Sequence, residues 1–527
     1  MATPKGFAKA IIVLTTVTAA VMELIDTSIV NVALSDMSGS LGVNIEDISW
    51  VITSYAIANV IIIPLTGFLA EYFGRKNYYI VSMIIFTVAS YMCGQSDTLV
   101  EIIVWRFIQG VGGGALLSTS QAILFDAFEP QDRPIASGLF GMGIVLGPTL
   151  GPTLGGYIID HASWPLIFMI NIPIGILATF LAYTFIDKKE GEGEKKKSIK
   201  IDYTGILLLT VGIGCLQYVL ERGESEDWFS SQTIQITSLL AFIGMVGFVW
   251  YELSIKNPAV NLRVLGNRNL AFTTIFTFVV GLGLFTSVFV FPVLAQRTLG
   301  FTAFETGLTL LAPTMITVLM MPIIGKLMSK GVSPIPFVVI GFLLFATYSW
   351  MSANVSPDVG KEDFFIPLAL RAIGISMVQL PLINQAVAGL QPKDYASGIA
   401  LNNMIRQLGG AFGIAMANNY IAHQYAQHRI DLVTKVTGES QMFLDRSNTI
   451  TQGIIARSGD VAGASNKALA TINGIVDRQA YFLSYLDTFR LITVFFILVI
   501  PLVAFLRVKK KSAVEVKAAM KAAEEAH

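Results

Sequence analysis

The sequence predicts an all-α polytopic membrane protein with fourteen transmembrane helices. Hydrophobic residues make up 54% of the 527 residues and charged residues only 14%, whereas an average soluble domain carries about 25% charge. Fourteen apolar segments follow one another, each long enough to cross a hydrocarbon core about 30 Å thick. No small-residue cleavage site follows the first segment, so we expect a retained helix rather than a signal peptide. The predicted spans are residues 9–35, 47–71, 78–95, 98–127, 135–159, 165–186, 204–221, 232–254, 268–294, 304–328, 334–352, 363–390, 397–423 and 486–508.

The distribution of Lys and Arg predicts the orientation of these helices. Connections on one side of the membrane carry the basic residues, among them Arg75, Lys76, Arg133 and the charged run at 187–200. Neither Lys nor Arg occurs in the opposite connections at residues 36–46, 96–97 and 160–164. Because short cytoplasmic loops are enriched in Lys and Arg, both termini are predicted to be cytoplasmic. The long segment 424–480 is then external and is predicted to be either amphipathic helices or a mobile loop.

An internal repeat predicts the domain organisation. The stretch "LGVNIEDISWVITSY" at Leu41 matches "LGFTAFETGLTLLAP" at Leu299, and "PLTGFLAEYFGRK" at Pro64 matches "PIIGKLMSKGVSP" at Pro322, both at an offset of 258 residues. Two repeated halves with a site between them near the midplane are typical of transporters. The predicted division is a six-helix half at 1–186, a charged cytoplasmic linker at 187–203, two inserted helices at 204–254, a cytoplasmic linker at 255–267, a second six-helix half at 268–510 that contains the periplasmic loop 424–480, and a cytoplasmic tail at 511–527.

Other function classes lack their usual sequence features. The formal net charge is zero, which argues against a nucleic-acid partner. The four histidines are scattered, so neither a catalytic constellation nor a metal site is predicted, and the two cysteines lie inside predicted helices. No phosphate-binding loop occurs, which argues against transport driven by ATP. We therefore expect a transporter without a cofactor, not an enzyme.

Two acids in the first span and an arginine in the fourth are the main candidate functional residues. Glu23 and Asp26 are three residues apart and share a helix face. Burial and a neighbouring like charge both disfavour the charged form of a carboxyl group, so at least one of them is expected to take up a proton during transport. Arg106 needs a partner or a water-filled cavity inside the membrane. The alternative is that one acid only pairs with Arg106, and the two roles are compatible.

Two further motifs join the helices closely. In "GFLAEYFGRK" (67–76), Gly67 and Gly74 permit close approach and a tight turn, and Glu71 is expected to meet the first amides of the next helix. In "GMGIVLGPTLGPTLGGYI" (141–158), a glycine every fourth residue forms a smooth ridge for a neighbouring helix. Prolines within that ridge interrupt the helical hydrogen bonds and favour a bend.

These motifs resemble those of the major facilitator superfamily, and more specifically its fourteen-span drug:proton antiporters. The loop 67–76 is similar to the signature loop of the superfamily, the ridge 141–158 to its antiporter motif, and "LIDTSIVNVAL" to the first-helix motif of the drug exporters. The resemblance implies proton coupling by Asp26 and Arg106. Glu23 is not part of the family motif, and we expect it to take part in proton coupling because it shares a helix face with Asp26. The resemblance also implies a set of conformational residues: Gly67, Glu71, Gly74, Arg75, Gly147, Pro148, Gly151, Pro152 and Gly155.

Three further stretches indicate a particular group of exporters within this family. The stretches 50–70, 220–232 and 257–269 closely resemble the inner-membrane pump of tripartite multidrug exporters. The resemblance implies a proton-coupled multidrug antiporter of the bacterial inner membrane, with a periplasmic membrane-fusion adaptor and an outer-membrane channel as partners. The alternative is an exporter of fatty acids, bile salts or siderophores. The residues expected to line the substrate cavity are Tyr55, Gln109, Gln121, Phe285, Phe289, Gln379, Asn384, Asn402 and Arg406.

Overall fold

A computed structural model describes residues 6–129, 131–188, 202–256, 258–391, 394–434, 436, 440–458 and 461–505. Within these ranges the chain is almost entirely helical and contains no β-strand. The α-helices are α1 Phe7–Leu41, α2 Ile45–Ile48, α3 Trp50–Phe73, α4 Arg75–Gly94, α5 Leu99–Asp126, α6 Arg133–His161, α7 Leu166–Met169, α8 Asn171–Phe185, α9 Tyr203–Arg222, α10 Gln232–Ser254, α11 Arg268–Arg297, α12 Ala303–Ser329, α13 Pro334–Ser352, α14 Phe365–Gln385, α15 Tyr395–Val433, α16 Gln441–Ser458 and α17 Ala464–Val499. The predicted all-α polytopic class is therefore confirmed.

Thirteen helical stretches of the described chain are long and apolar enough to cross a membrane. The remaining predicted span, 397–423, lies within α15, which is long enough but more polar. Its buried face carries Asn402, Asn403 and Arg406, and these side chains lower its hydropathy. The helix packs against α3, α11 and α17, so it belongs to the helical bundle despite its composition.

Several predicted boundaries differ from the helices observed. The span predicted at 165–186 is divided into α7 and α8. The region 424–480 is largely helical: α15 continues to Val433, α16 follows, and α17 begins at Ala464, well before the predicted start at 486. Hydropathy misses these extensions because polar helical turns outside a membrane look like loops by composition alone. Most of the predicted linker 187–203 and all of the tail 511–527 lie outside the described residues.

Local sequence explains how the helices begin and end. At the start of α12, the Thr302 hydroxyl accepts a hydrogen bond from the Glu305 amide at 3.1 Å, and the Glu305 carboxylate accepts one from the Thr302 amide at 2.8 Å. This reciprocal capping box satisfies amides that have no partner within the helix. Between α3 and α4, Gly74 has a φ of 82°, a backbone conformation that favours glycine.

The helices form two halves, and the most extensive contact between them is that of α6 with α12. We call the side of the bundle where α1 begins and α17 ends the terminal side, and the opposite one the far side. The helices α6 and α12 approach closely over much of their length: Gly138 contacts the backbone of Met321 nearer the terminal side, and Thr314 donates a hydrogen bond to Thr149 at 3.2 Å nearer the far side.

Three further hydrogen bonds between the halves lie on the terminal side. Ser137 of α6 donates a hydrogen bond to Asn384 of α14 at 3.1 Å. Asn403 of α15 donates to Ser118 at 3.1 Å and to Gln121 at 3.3 Å, both on α5. These bonds hold the terminal-side ends of the two halves together in this conformation.

The two inserted helices cover the edge where α3 of one half meets α15 of the other. Gly212 and Gly244 allow α9 and α10 to approach each other closely, since a side chain on either would meet the backbone of the partner helix. The helix α9 packs against both α3 and α15. Leu209, Ile213 and Phe248 of the inserted pair join one apolar cluster with residues of both halves.

Candidate functional site

Asp26 lies at the centre of a buried polar cluster in the first half. Its Oδ2 accepts a hydrogen bond from Arg106 Nη1 at 2.6 Å, which is also an ion pair. Its Oδ1 accepts hydrogen bonds from Gln109 Nε2 at 2.9 Å and from Asn171 Nδ2 at 2.8 Å. Asp26 is 0% exposed and Arg106 1% exposed. This network joins α1, α5 and α8 inside the bundle.

Arg106 has contacts besides Asp26 that hold it in place. Its Nε donates to the carbonyl oxygen of Val51 at 3.1 Å, and its Nη1 donates to Gln109 Oε1 at 2.8 Å. The guanidinium lies 4.1 Å from the ring centroid of Tyr55 and 5.6 Å from that of Phe168. These interactions attach Arg106 to α3 and α5 through groups other than Asp26.

The glycines of α5 explain how α3 comes so close to this cluster. A Cβ on Gly110 would lie 2.6 Å from the carbonyl oxygen of Tyr55, and one on Gly114 would lie 2.7 Å from that of Asn59. A Cβ on Gly113 would lie 2.5 Å from the Tyr55 hydroxyl. Such contacts would force the helices apart, so the glycine cluster at 110–114 is required for α3 to present Tyr55 and Asn59.

Glu23 occupies a different setting from Asp26, although both lie on α1. Its Oε1 accepts hydrogen bonds from Asn59 Nδ2 at 3.0 Å and from the Tyr55 hydroxyl at 3.4 Å. Its Oε2 is buried and has no hydrogen-bond partner among the described residues. No ion pair of Glu23 occurs among the described residues, and Arg406 of the other half lies close enough for the two charges to interact. The carboxyl group therefore lies where the two halves approach each other.

The glycine ridge of α6 packs directly against α1. Gly147 contacts Leu24, and Gly151 contacts Ser28, so closely that a methyl group on either glycine would overlap the neighbouring side chain. Gly155 lies against Ile29 in the same way. Pro148 and Pro152 lie within α6, which nevertheless stays continuous from Arg133 to His161. The expectation of a smooth ridge for a neighbouring helix thus agrees with the contacts, and that neighbour is the helix of Glu23 and Asp26.

The loop 67–76 lies on the terminal side. Arg75 forms an ion pair with Asp126 at the end of α5, and Gly67 lies against Ser397 of the second half. The expectation that Glu71 meets the first amides of α4 is wrong, because Glu71 lies inside the last turn of α3. It is exposed, and α4 begins without a side-chain cap.

The expected cavity residues fall into separate groups. Gln379, Asn402 and Arg406 line one cavity in the second half, together with Thr277 and Val280. The remaining expected residues lie elsewhere: Gln121 and Asn384 in the bonds between the halves, Tyr55 and Gln109 in the acidic clusters of the first half, and Phe285 and Phe289 half-buried on α11. Gln109 therefore belongs to the ion-pair cluster around Asp26.

Sequence reasoning missed two polar residues that complete these clusters. Asn171 binds Asp26 and also donates to Ser90 Oγ at 3.0 Å, and Asn59 binds Glu23. Each is an isolated polar residue within an apolar span, and an intramembrane polar residue is by itself a functional-site signal. That signal identifies Asn171 and Asn59 as candidates but does not indicate which acid each one contacts.

The family of the chain follows from comparison with known proteins. The model of the Major Facilitator Superfamily matches residues 16–414. The chain belongs to the major facilitator superfamily. Two solved structures of that fold are similar over nearly the whole chain: the proton:xylose symporter XylE, with a TM-score of 0.56 at 14% identity over 97% of this chain and 98% of that one, and the human organic anion transporter MFSD10, with a TM-score of 0.56 at 14% identity over 93% and 99%. The predicted major facilitator fold is thus confirmed.

Three curated relatives are named as export or resistance proteins. The chain is 32% identical to the multidrug export protein EmrB of Haemophilus influenzae over 79% of this chain and 81% of that protein. It is 30% identical to the probable multidrug resistance protein EmrY of Escherichia coli over 92% of each. It is also 30% identical to the fatty acid resistance protein FarB of Neisseria gonorrhoeae, over 95% and 96%. This superfamily member is a multi-pass membrane transporter, not an enzyme.

Proposed function

We propose that the chain is a proton-coupled multidrug efflux antiporter that works by alternating access. The observation that carries this proposal is the buried carboxylate of Asp26, which is ion-paired with Arg106 inside the membrane-spanning bundle. The named activities of the relatives EmrB and EmrY support multidrug export. One proton that moves down a potential of 100 mV releases about 2.3 kcal/mol, which suffices to drive export against a useful gradient.

The geometry supports a specific effect of proton binding. The two oxygens of Asp26 accept hydrogen bonds from Arg106, Gln109 and Asn171. A protonated carboxyl group is itself a donor at one oxygen, and Arg106 has no acceptor to offer it. Protonation at Oδ2 therefore breaks the contact with Arg106 and leaves the two amide contacts at Oδ1. Because Arg106 keeps its bonds to Val51 O and Gln109, loss of the ion pair weakens the attachment of α1, which then depends on the two amide contacts.

Movement of α1 has a direct route to the second half. The helix α1 packs on one face of α6 through Gly147 and Gly151, and another face of α6 packs on α12 through Gly138. Since these contacts leave no room for independent adjustment, a shift of α1 is transmitted to α6 and from there to the boundary between the halves. In this mechanism the loop 67–76 stays fixed on the terminal side while the two halves open and close. The residues that fix it are Gly67, Gly74 and Arg75.

We further propose that the protein lies in the bacterial inner membrane, with the terminal side in the cytoplasm. The positive charges of the short connections support this orientation. The far side, with the polar ends of α15 and α17 and the helix α16, then faces the periplasm. We propose that a membrane-fusion adaptor binds there and connects the pump to an outer-membrane channel.

The experiment uses everted membrane vesicles energised by respiration and a fluorescent probe of internal acidification. A cationic dye and an uncharged hydrophobic toxin are added separately to vesicles with wild type, Asp26→Asn, Glu23→Gln or Asp36→Asn. Wild type should release protons when substrate is added, and Asp26→Asn should not. Asp36 is exposed on the same helix, so Asp36→Asn should behave like wild type. Failure of wild type to release protons with either compound would refute drug:proton antiport for these substrates.

An exporter of fatty acids, bile salts or siderophores is the second candidate. The observation in its favour is the similarity to FarB, a fatty acid resistance protein, over nearly the whole length of both chains. The same vesicles provide the test: proton release on addition of a fatty acid or bile salt, without any response to the dye or the toxin, would favour this candidate over multidrug export.

A further inference from the structure

Arg406 of α15 differs from the other buried arginines because no hydrogen-bond or ion-pair partner for it occurs among the described residues. Arg106 has Asp26, and Arg371 lies 3.5 Å from Ser287 Oγ and 5.8 Å from the ring centroid of Tyr348. Arg406 is only 4% exposed, and its buried Nε has no hydrogen-bond partner in the described part of the chain. An unpaired buried charge is unfavourable, so this arginine requires an explanation.

The surroundings of Arg406 form a small polar recess. A cavity about the size of one water molecule lies between α11, α14 and α15 and is bordered by Thr277, Gln379, Asn402 and Arg406. Both amide atoms of Gln379 are buried without a hydrogen-bond partner in the described chain, and Gln379 is 3% exposed. Asn402 is oriented by Thr277, whose hydroxyl donates to Asn402 Oδ1 at 2.9 Å. The recess therefore combines a cation with an unused amide donor.

The chemistry of this recess selects an anion with an apolar tail. A guanidinium binds a carboxylate through parallel hydrogen bonds, and the free amide of Gln379 can donate to the same group. The rest of the lining is apolar, with Val280, Leu382 and Ile383 beside the polar groups. Glu23 is the acid whose charge acts on Arg406 from the other half, yet the two form no ion pair in this conformation.

We propose that Arg406 and Gln379 form a subsite for the carboxylate of an amphipathic substrate. The inference rests on the proposed transport function and deepens it, because it adds acids to the compounds that the pump can hold. The recess is too small for a substrate in this conformation, so binding accompanies opening of the halves. In the open state the carboxylate replaces the missing counter-charge of Arg406, and the alkyl chain lies along the apolar lining.

The test measures binding and not transport. The full-length protein in nanodiscs of phosphatidylcholine, which carries no net charge, is given radiolabelled dodecanoate, with dodecanol and dodecyltrimethylammonium as competitors of equal chain length. Empty nanodiscs correct for partition into lipid. Wild type should bind dodecanoate at least about tenfold more tightly than dodecanol, as expected for hydrogen bonds to a charged group. Equal affinities would overturn the proposal.

Matched variants assign the effect to the subsite. Arg406→Gln should abolish the preference for the carboxylate, whereas Arg371→Gln, at an equally buried arginine with partners of its own, should keep it. Persistence of the preference in Arg406→Gln would overturn the assignment. Should that variant fail to purify as a folded protein, Gln379→Leu carries the test: it should weaken the preference, and an unchanged preference would also overturn the site.

Removal of the charge of Glu23 provides an independent test, because the proposal predicts the direction in which the affinity for dodecanoate changes. Glu23→Gln removes a negative charge that partly offsets the positive charge of Arg406. Dodecanoate should therefore bind more tightly to this variant, and the affinity for dodecanol should not change. Weaker binding of dodecanoate would contradict the proposal. The outcome is separable from that of the vesicle experiment: proton release with a cationic dye but no carboxylate preference refutes the subsite alone, and the reverse combination refutes drug:proton antiport alone.

Discussion

The ion pair between Asp26 and Arg106 can be tested through its contribution to stability. The two side chains are 0% and 1% exposed and lie 2.6 Å apart, so removal of either charge leaves the other buried. Breaking a buried pair in this way costs about 3–5 kcal/mol. The lower end applies here because Arg106 keeps its bonds to Val51 O and Gln109. We therefore expect Asp26→Asn and Arg106→Gln each to lower the free energy of unfolding by about 3 kcal/mol.

The double variant decides whether the pair accounts for these losses. Asp26→Asn combined with Arg106→Gln leaves no unpaired charge, so it should lose about 3–4 kcal/mol rather than the additive value of about 6 kcal/mol, a coupling energy of about 2–3 kcal/mol. The assay is reversible chemical unfolding of the purified protein in mixed micelles. A control cycle of Asp36→Asn with Arg106→Gln should be additive, because Asp36 lies exposed near the far end of α1. Additive losses for Asp26 and Arg106 would refute the reasoning.

Two further predictions concern the surroundings of this pair. Gly147→Ala adds a methyl group where Leu24 already lies, so it should lower the free energy of unfolding by about 1–3 kcal/mol. Gly39→Ala, at an open position on α1, should have little effect. Equal effects of the two variants in the same unfolding assay would contradict close packing of α1 on α6. Asn171→Leu removes one hydrogen bond to the carboxylate of Asp26 and should lower the free energy of unfolding by about 1.5–3 kcal/mol. The proton release measured in the vesicles should decrease as well. A variant that matches wild type in both assays would show that this bond is unimportant.

The helices and the main ion pair could be predicted from the sequence because both depend on strong local signals. A long apolar segment in a chain of this composition has few alternatives to a membrane helix, and an arginine within such a segment must find an acid or water. The sequence therefore indicates that one of the two acids, Glu23 or Asp26, pairs with Arg106, and the structure identifies that acid as Asp26. The glycine ridge of α6 could be predicted in the same way, because a glycine at every fourth position gives a helix one smooth face on which a neighbouring helix can pack.

The finer contacts depend on the relative rotation of helices, which sequence periodicity does not specify. Asn171 and Asn59 are both isolated polar residues, and only the packing of α8 and α3 assigns one to Asp26 and the other to Glu23. Gln109 was expected on a cavity wall because it is polar and intramembrane, yet one helical turn after Arg106 it faces the same carboxylate. The length of α15 was also missed, because its outer turns are stabilised by contacts such as the 2.7 Å bond between Arg429 and Asp477 of α17 rather than by hydropathy.

The position of the inserted helices makes the two edges of the transporter unequal toward the lipid. On one edge, α9 and α10 stand between the bilayer and the line where α3 meets α15. On the other edge, α6 and α12 have no such cover within the described chain. Acyl chains and compounds dissolved among them thus approach the boundary between the halves directly from a single direction. For an exporter whose substrates dissolve in the membrane, the inserted helices α9 and α10 therefore restrict access from the lipid to one route. That route passes between α6 and α12, so separation of these two helices would control it.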